Sequence, residues 1–256
     1  MLTTYSPVEM MVAAAARILE DKKIVFVGTG MPIIASIVAK RLYCPNLLII
    51  FEAGGIDPLL DRLTVSVGSS YTIDRAIMAT SMDYVMSLAQ RGYIDYGFLG
   101  AAQIDRYGNI NTTVIGDWRR PKVRLPGSGG ANDVGSLSWK TITIMRQDKL
   151  RFVDRVDYVT TPGYLNGPGS RERTGLPINT GPYRVVTQIG VYGFHPETKE
   201  MMLLALYPNT TLKDVQENSS FKIIVPEKVE VLDPPTIEEL KVMREIDPAG
   251  IIIPRR

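Results

Sequence analysis

The sequence predicts an α/β fold in which helices cover both faces of an open, mostly parallel sheet. In the first part of the chain, short uninterrupted apolar segments alternate with helical segments, as expected for strands that are buried on both faces. Between residues 108 and 182 the chain is instead rich in Gly, Pro, Asn and Thr, which predicts long Gly/Pro-rich loops. Since the sequence contains no linker-like segment and no internal repeat, we expect one domain over residues 1–256.

The alternation of helices and strands is clearest over the first hundred residues. The predicted elements there are Pro7–Glu20 (helix), Lys23–Val27 (strand), Met31–Arg41 (helix), Leu47–Phe51 (strand), Thr80–Arg91 (helix) and Asp95–Leu99 (strand). The first helix is expected to open with a capping box of Ser6 and Glu9. Ligands of open α/β sheets bind beyond the carboxyl ends of the strands, so a site is expected in the loops after Val27, Phe51 and Leu99.

The rest of the chain predicts short strands, a hairpin and two further helices. Short strands are expected at Thr141–Met145 and Tyr158–Thr160. The segment "RVVTQIGVYGF", the turn "HPETKE" and the segment "MMLLALYP" together predict an antiparallel hairpin. Helices are expected near Thr211–Asn218 and Thr236–Glu245.

Composition and charge argue against several classes of function. The chain has 45% hydrophobic and 22% charged residues and a net charge of +2, so it lacks the basic excess of a nucleic-acid-binding surface. Cys44 is the only cysteine and His195 the only histidine, which argues against a disulfide, a thiolate metal cluster and a Ser-His-Asp hydrolase. We therefore expect no metal site, no tightly bound cofactor and no nucleic-acid partner.

We expect no targeting or membrane segment in this sequence. Its N-terminal stretch lacks the basic start of a signal peptide. The longest later apolar run, Ile24 to Ala39, contains two glycines, a proline and a serine and falls short of the ~20 residues of a spanning helix. We expect a cytoplasmic protein.

Two glycine-rich loops are candidates for ligand binding. The loop "VGTGMP" places Gly28 and Gly30 between a strand and a helix, where backbone N–H groups can hold phosphate; a plain tight turn would need the same glycines. The loop "LPGSGGAND" surrounds one serine with Gly127, Gly129 and Gly130. Its amides could form an anion nest or an oxyanion hole, or the loop could simply be flexible.

Two side chains are further candidates for ligand contact. Arg171 lies in "NGPGSRERTGLP", a loop of Gly and Pro in which a cation could meet a phosphate-bearing ligand or remain solvated. Gln103 lies in "GAAQIDRYGN", which follows the predicted strand Asp95–Leu99.

Glu52 is the most distinctive candidate. It ends the predicted strand Leu47–Phe51 and is followed by Ala53, Gly54 and Gly55. A carboxylate at the end of a strand commonly caps a turn or pairs with an arginine. Small neighbours would instead let a ligand approach, and a glutamate that is ionised at neutral pH needs no base to act as a nucleophile. The sequence by itself leaves both interpretations open.

Together these segments resemble the B (β) component of the family I CoA-transferases. The similarity covers nearly the whole chain, through "VGTGMPIIASIVAKR", "FEAGGID", "GAAQIDRYGNINTTVIGD", "RLPGSGGAN", "DYVTTPGYLNGPGSRERTGLP" and "REIDP". The resemblance implies that Glu52 is the catalytic nucleophile and that Gly129, Gly130 and Ala131 form the loop that binds the oxyanion and CoA. It implies coenzyme A as a substrate, and a ping-pong route through a glutamyl-CoA thioester.

The resemblance also implies a partner chain. Family members combine A-type and B-type subunits, so we expect a hetero-oligomer with an A-type subunit that acts on an acyl-CoA and a carboxylic acid, with a short dicarboxylate of the glutaconate type. A CoA-thioester hydrolase on the same fold and a non-catalytic CoA-binding subunit are the alternatives. Relatives that lack the glutamate resemble a decarboxylase or a ring-opening hydrolase, so the presence of Glu52 favours transfer.

Overall fold

The computed structural model describes residues 4–254, which fall into two compact units. Unit 1 comprises the chain up to Gly100 together with the segment from Asp233 onward, and unit 2 comprises Ala101–Leu232. The expectation of one domain over residues 1–256 stays a prediction, because compactness alone does not show whether the two units fold independently.

All five helices predicted from the sequence are present, and two short ones lie in the region predicted as loops. Within residues 4–254 the α-helices are Pro7–Ala16 (α1), Met31–Leu42 (α2), Met82–Gln90 (α3), Ala131–Leu137 (α4), Ser170–Arg173 (α5), Leu212–Glu217 (α6) and Ile237–Ile246 (α7). The capping box of Ser6 and Glu9 is confirmed. None of the helices described is long and apolar enough to cross a bilayer; α2, with 12 residues, is the longest of them.

The strands confirm the predicted α/β class. Those described are Ile24–Val27 (β1), Leu48–Ile50 (β2), Gly55–Ile56 (β3), Met78–Ala79 (β4), Tyr96–Gly100 (β5), Gln103–Ile104 (β6), Ile110–Asn111 (β7), Val114–Gly116 (β8), Pro121–Arg124 (β9), Lys140–Ile144 (β10), Gly181–Val186 (β11), Gly190–Phe194 (β12), Met201–Leu206 (β13) and Glu230–Val231 (β14). The predicted strand Tyr158–Thr160 is wrong, because the backbone amides of Thr160 and Thr161 both donate to the carbonyl of Ile110 instead of entering a regular ladder.

In unit 1 the strand order is β5, β1, β2, β3, β4. β1 pairs in parallel with β2 and with β5, whereas the β2–β3 and β3–β4 pairs are antiparallel. Helices α1, α2 and α7 pack on one another, and the buried carboxylates of Glu9 and Glu239 bind Arg244 and Arg17 across the α1–α7 contact. Because β1, β2 and β5 run in the same direction, their carboxyl ends meet at one edge of the sheet.

In unit 2 the strand order is β10, β11, β12, β13, β14. The predicted hairpin is confirmed between β12 and β13, and β11 also runs antiparallel to β12. The segment "RVVTQIGVYGF" therefore holds parts of two strands rather than one. The chain reverses at Thr187, whose amide donates to the carbonyl of Gly190 and whose hydroxyl accepts from the amide of Ile189.

Candidate active site

Glu52 lies in the tight turn that joins β2 to β3, called here the Glu52 turn (residues 51–55). The amide of Phe51 donates to the carbonyl of Gly55 at 2.9 Å, and the amide of Gly54 donates to the carbonyl of Phe51 at 3.0 Å. Phe51 is fully buried, whereas Glu52 is half-buried. The backbone is thus fixed on both sides of a side chain that reaches the surface at the carboxyl edge of the sheet.

The carboxylate of Glu52 has no hydrogen bond and no ion pair with any residue in the range 4–254. Other acidic side chains of unit 1 are engaged: Asp57 pairs with Lys40 at 2.6 Å, and Glu9 pairs with Arg244 at 2.8 Å. Within the described residues, Glu52 therefore neither caps a turn nor pairs with an arginine, which were the two structural roles that the sequence left open.

The glycines after Glu52 serve the packing of the turn. A Cβ atom on Gly54 would lie 2.0 Å from the carbonyl oxygen of Thr80, and one on Gly55 would lie 1.7 Å from that of Thr72. Gly54 also has a φ of 109°, and its carbonyl accepts from the amide of Thr80. Backbone carbonyls therefore already fill the space at both Cβ positions, where the sequence had suggested room for a ligand. Ligand contact by Gly54 itself stays a prediction.

Gly28 and Gly30 form the turn from β1 into α2. The amide of Gly28 donates to the carbonyl of Phe98 at 2.9 Å, and a Cβ atom there would lie 3.1 Å from the same oxygen. Gly30 has a φ of 82° with open space around it, and it precedes α2 without a side-chain cap. This turn and the Glu52 turn follow neighbouring parallel strands, so both lie at the same sheet edge. Ligand contact by either glycine stays a prediction.

The predicted oxyanion loop, residues 127–131, follows β9 and ends at Ala131, the first residue of α4; it is called here the glycine loop. Its first residue is held twice by Thr112: the Gly127 amide donates to the Thr112 carbonyl at 2.9 Å, and the Thr112 hydroxyl donates to the Gly127 carbonyl at 2.8 Å. At the other end, the amide of Ala131 donates to the carbonyl of Ser128 at 2.9 Å, and the amide of Asn132 donates to the Ser128 hydroxyl. Both ends of the loop are therefore fixed.

Between these fixed ends, the amides of Gly129 and Gly130 have no acceptor among residues 4–254. Gly127 and Gly129 have φ values of 99° and 48°. Glycines with positive φ let neighbouring amides point to one side and bind an anion. Of the three amides assigned to the loop by sequence, those of Gly129 and Gly130 are free, and that of Ala131 is used within the turn.

Two pairs of adjacent threonines support the glycine loop, and sequence analysis missed them. Thr112 binds Gly127, as above, and its amide donates to the hydroxyl of Thr160 at 2.9 Å. The Thr161 hydroxyl donates to the Ala131 carbonyl at 3.1 Å. The signal in the sequence was the repeated Thr-Thr within two otherwise irregular segments, "NTTVIGD" and "VTTPGY", since threonine hydroxyls commonly bond to backbone groups in such segments.

Gln103 and Arg171 are buried rather than presented to solvent. Gln103, in β6, is 5% exposed; its amide group donates to Asp157 at 3.0 Å and accepts from the side chain of Asn111 at 2.7 Å. Arg171, in α5, is 0% exposed, and its guanidinium donates to backbone carbonyls and to the Thr180 hydroxyl. Ligand contact by either side chain stays a prediction and would require these hydrogen bonds to be exchanged.

Alternative reactive groups are poorly placed. Burial raises the pKa of the Cys44 thiol, which donates to the carbonyl of Leu19, so the thiol is not a nucleophile at neutral pH. The Nδ1 atom of His195 accepts from the amides of Glu197 and Thr198 within the β12–β13 turn. Among residues 4–254, no three His, Cys, Asp or Glu side chains cluster as metal ligands would.

Comparison with known proteins shows the family. The sequence model of the family "Coenzyme A transferase" matches residues 8–218. The chain is 40% identical to the B-type subunit of glutaconate CoA-transferase from Acidaminococcus fermentans, over 98% of this chain and 96% of that protein. It is 36% identical to the B-type subunit of 3-oxoadipate CoA-transferase from Pseudomonas knackmussii, over 96% and 95%.

The fold agrees with the sequence comparison. The crystal structure of glutaconate coenzyme A-transferase from Acidaminococcus fermentans matches with a TM-score of 0.94 and 38% identity, over 99% of both chains. This agreement covers both compact units and includes every segment that carries a candidate residue. The chain belongs to the coenzyme A transferase family.

Proposed function

We propose that this chain is the B-type subunit of a CoA-transferase that moves CoA from an acyl-CoA thioester to a free carboxylic acid, through a covalent intermediate on Glu52. The observation that carries the proposal is the Glu52 carboxylate, which is half-buried at the end of a parallel strand and has no partner in the described chain. Similarity to a glutaconate CoA-transferase supports a short dicarboxylate as the acyl group.

The first step is attack by a Glu52 oxygen on the thioester carbonyl carbon. A new C–O bond forms, and negative charge develops on the former carbonyl oxygen. The free amides of Gly129 and Gly130 are suited to donate hydrogen bonds to this oxyanion. When the C–S bond breaks, CoA leaves as a thiolate and an anhydride joins the acyl group to Glu52.

The second step returns CoA to the enzyme. The thiolate attacks the Glu52 carbonyl carbon, the donor acid leaves as a carboxylate, and Glu52 becomes a glutamyl-CoA thioester. The acceptor carboxylate then repeats the two steps in reverse order, leaving as the new acyl-CoA and restoring Glu52. No step needs a proton, which agrees with a Glu52 that has no general base bonded to it in the described chain.

The lack of an ion pair at Glu52 within residues 4–254 favours this chemistry. The carboxylate loses its charge when it becomes an anhydride or a thioester. An arginine bound to Glu52 would stabilise the charged form and oppose that change. The anhydride also lies above the thioester in free energy, so binding of the parts of CoA remote from the sulfur must help to drive its formation.

The surface of unit 1 supports assembly with an A-type subunit. The segment from residue 59 to residue 84, called here the apolar segment, exposes several large apolar side chains: Leu59, Val65, Tyr71, Ile73, Ile77 and Met82. Ile77 is 71% exposed and Val65 67%. Carbonyls of this segment also pack on Gly54 and Gly55 of the Glu52 turn. A concentration of exposed apolar side chains commonly marks a protein–protein interface.

Borohydride trapping tests the proposal. The chain is co-expressed with an A-type subunit, and the complex is mixed with an acyl-CoA without acceptor acid and treated with borohydride. The masses of the proteolytic peptides are then measured by mass spectrometry. A thioester on Glu52 would be reduced to an alcohol, and the Glu52→Gln variant would give no such change. An unmodified Glu52 while free acid accumulates would mean that water is the acceptor and that the enzyme is a hydrolase.

A further inference from the structure

Arg171 is a fully buried cation that forms no ion pair within the described residues. Its Nη2 atom donates to the carbonyls of Gly135 at 2.8 Å and Ser136 at 3.0 Å. Its Nη1 atom donates to the carbonyls of Pro162 at 2.9 Å and Gly163 at 3.2 Å. Nε and Nη2 also donate to the Thr180 hydroxyl. The guanidinium is thus held mainly by backbone oxygens.

Such an arrangement is unusual, because buried charges are normally paired with an opposite charge. Burial lowers the pKa of Arg171 to about 10, so the side chain is still a cation at neutral pH. Gly135 and Ser136 lie near the end of α4. The last carbonyls of a helix have no partner inside it, and the negative end of the helix dipole favours a cation there. Arg171 therefore caps α4.

The helix that Arg171 caps is the one that follows the glycine loop. α4 begins at Ala131, directly after the free amides of Gly129 and Gly130. From Gly130 to Ser136 is about 9 Å at the rise of an α-helix, so a shift at the capped end is transmitted to the loop with little attenuation.

The second set of carbonyls bound by Arg171 belongs to the segment that supports the near end of α4. Pro162 and Gly163 directly follow Thr161, whose hydroxyl donates to the carbonyl of Ala131. A Cβ atom on Gly135 would lie 2.0 Å from Cγ2 of Thr161, so the helix lies against this segment without a gap. Arg171 joins the far end of α4 to the same segment that holds its beginning.

We propose that Arg171 is a positioning residue for CoA transfer. By fixing α4 against residues 160–163, it holds the amides of Gly129 and Gly130 where they bind the oxyanion. The inference rests on the proposed function, and it differs from the ligand contact predicted from the sequence. A ligand contact acts on substrate binding, whereas a positioning residue for the oxyanion site acts on the rate of the chemical step.

The test uses the complex of the full chain with an A-type subunit and the variants Arg171→Met and Arg171→Lys. The rate of Glu52 acylation is measured as a function of acyl-CoA concentration. Each rate is divided by the number of sites that borohydride labels at completion, so that inactive protein does not lower the rate per site. For Arg171→Met we expect the maximal rate per site to fall about 100-fold with KM changed less than about threefold. Arg171→Lys should fall about tenfold, because an ammonium supplies fewer donors in a different geometry.

Arg173→Met is the matched control. Arg173 lies two residues further along α5, is exposed, and its side chain forms no hydrogen bond or ion pair in the described range, so the rate per site of this variant should equal that of the unmodified chain. An equal loss in Arg173→Met would overturn the inference, because it would assign the effect to the charge of the loop. A raised KM with an unchanged maximal rate in Arg171→Met would also overturn it and assign a ligand contact.

Hydrogen exchange keeps the inference testable if Arg171→Met does not fold. In the intact complex, the amides of residues 127–137 should exchange faster in Arg171→Lys than in the unmodified chain or in Arg173→Met. Unchanged exchange in Arg171→Lys would contradict the positioning role. Failure of the proposed function is distinguishable, because the unmodified complex itself would then remain unlabelled at Glu52.

Discussion

The Glu52 turn and the glycine loop both hold an unpartnered polar group on a fixed backbone, but glycine has a different function in each. In each, hydrogen bonds fix the backbone while one kind of group is left without a partner in the described chain: a carboxylate in the turn, and two amides in the loop. Gly54 and Gly55 are needed because Cβ atoms there would collide with backbone carbonyls. Gly127 has open space around its Cβ position but a φ of 99°, so it is needed for its conformation.

In the Glu52 turn, different residues determine stability and reactivity, whereas in the glycine loop the same backbone determines both. In the turn, the glycines maintain the packing that presents Glu52, and the reactive group is a side chain that can be changed without touching them. In the loop, the reactive groups are the backbone itself, so they can be altered only by moving the chain that carries them. We therefore expect glycine substitutions in the Glu52 turn to lower stability, and changes that move the glycine loop to lower the rate of transfer.

The largest effect is expected for Glu52→Gln. The amide cannot form the anhydride, so transfer should fall at least about 1000-fold. The side chain has no partner to lose in the described chain, so the midpoint of thermal unfolding should stay unchanged. Steady-state transfer assays and calorimetry measure the two quantities. A variant that retains most of its activity would exclude Glu52 as the nucleophile, whereas a large loss of stability would show that the carboxylate has a structural role.

Gly54→Ala should have the next largest effect, and it should act on stability. The added methyl group would lie 2.0 Å from the Thr80 carbonyl oxygen in a conformation with a φ of 109°, which we expect to cost about 3 kcal/mol of unfolding free energy. Gly127→Ala is the matched change in the glycine loop. It meets no atom within 4 Å and should cost about 1 kcal/mol for its positive φ. Equal losses in urea unfolding would mean that the two glycines serve the same purpose.

Ile77→Asp is expected to weaken assembly rather than folding. Ile77 is 71% exposed, so the isolated chain should keep its stability within about 0.5 kcal/mol. If the apolar segment binds the A-type subunit, the dissociation constant of the complex should rise tenfold or more, about 1.4 kcal/mol. Leu150→Asp, at an 80% exposed position in unit 2, is the control. Sedimentation of the two variants with the A-type subunit should show impaired association for Ile77→Asp alone.

The smallest effect is expected for Thr112→Val. This change removes the hydroxyl that donates to the Gly127 carbonyl, a contribution of about 1 kcal/mol. We expect a several-fold loss in the maximal rate of transfer, because the glycine loop becomes less fixed. Thr210→Val removes a hydroxyl that lies away from the loop, binds the carbonyls of Ile189 and Tyr207 and accepts from the amide of Tyr207. It should lower stability by at least as much as Thr112→Val, because more hydrogen bonds are lost, and it should leave the rate unchanged. A similar loss of rate in both variants would mean that fixing the glycine loop does not control the rate of transfer.

The sequence was most informative where one residue acts locally. The capping box of Ser6 and Glu9, the buried parallel strands and the position of Glu52 at the carboxyl end of a strand could all be predicted from residue order alone. The Tyr158–Thr160 segment could not, because its threonines are used as hydrogen-bonding groups and its amides bind Ile110 outside a regular ladder. The turn at Thr187 was missed, although the polar pair Thr187 and Gln188 interrupts the apolar residues of this segment at the point where the chain reverses.

Long-range contacts account for the remaining differences. From the sequence, Gly54 and Gly55 were interpreted as small neighbours that let a ligand approach, but the sequence could not show that carbonyls of the distant residues Thr72 and Thr80 fill the space beside them. It likewise placed Arg171 in a loop of glycines and prolines, whereas carbonyls from two other segments surround its guanidinium. In both cases the deciding contacts join residues that are distant along the chain.

Transfer of oxygen to Glu52 tests the account most directly. The complex is incubated with an acyl-CoA and an acceptor acid whose carboxylate is labelled with oxygen-18. The mass of the peptide that contains Glu52 is then measured by mass spectrometry. If the acceptor attacks a glutamyl-CoA thioester, one of its oxygens must remain on the Glu52 carboxylate when the new acyl-CoA departs. The peptide therefore gains one heavy oxygen in the first turnover and approaches two after many turnovers, because either oxygen of the Glu52 carboxylate can leave with the donor acid in the next cycle. A peptide of unchanged mass after many turnovers would contradict the covalent role of Glu52.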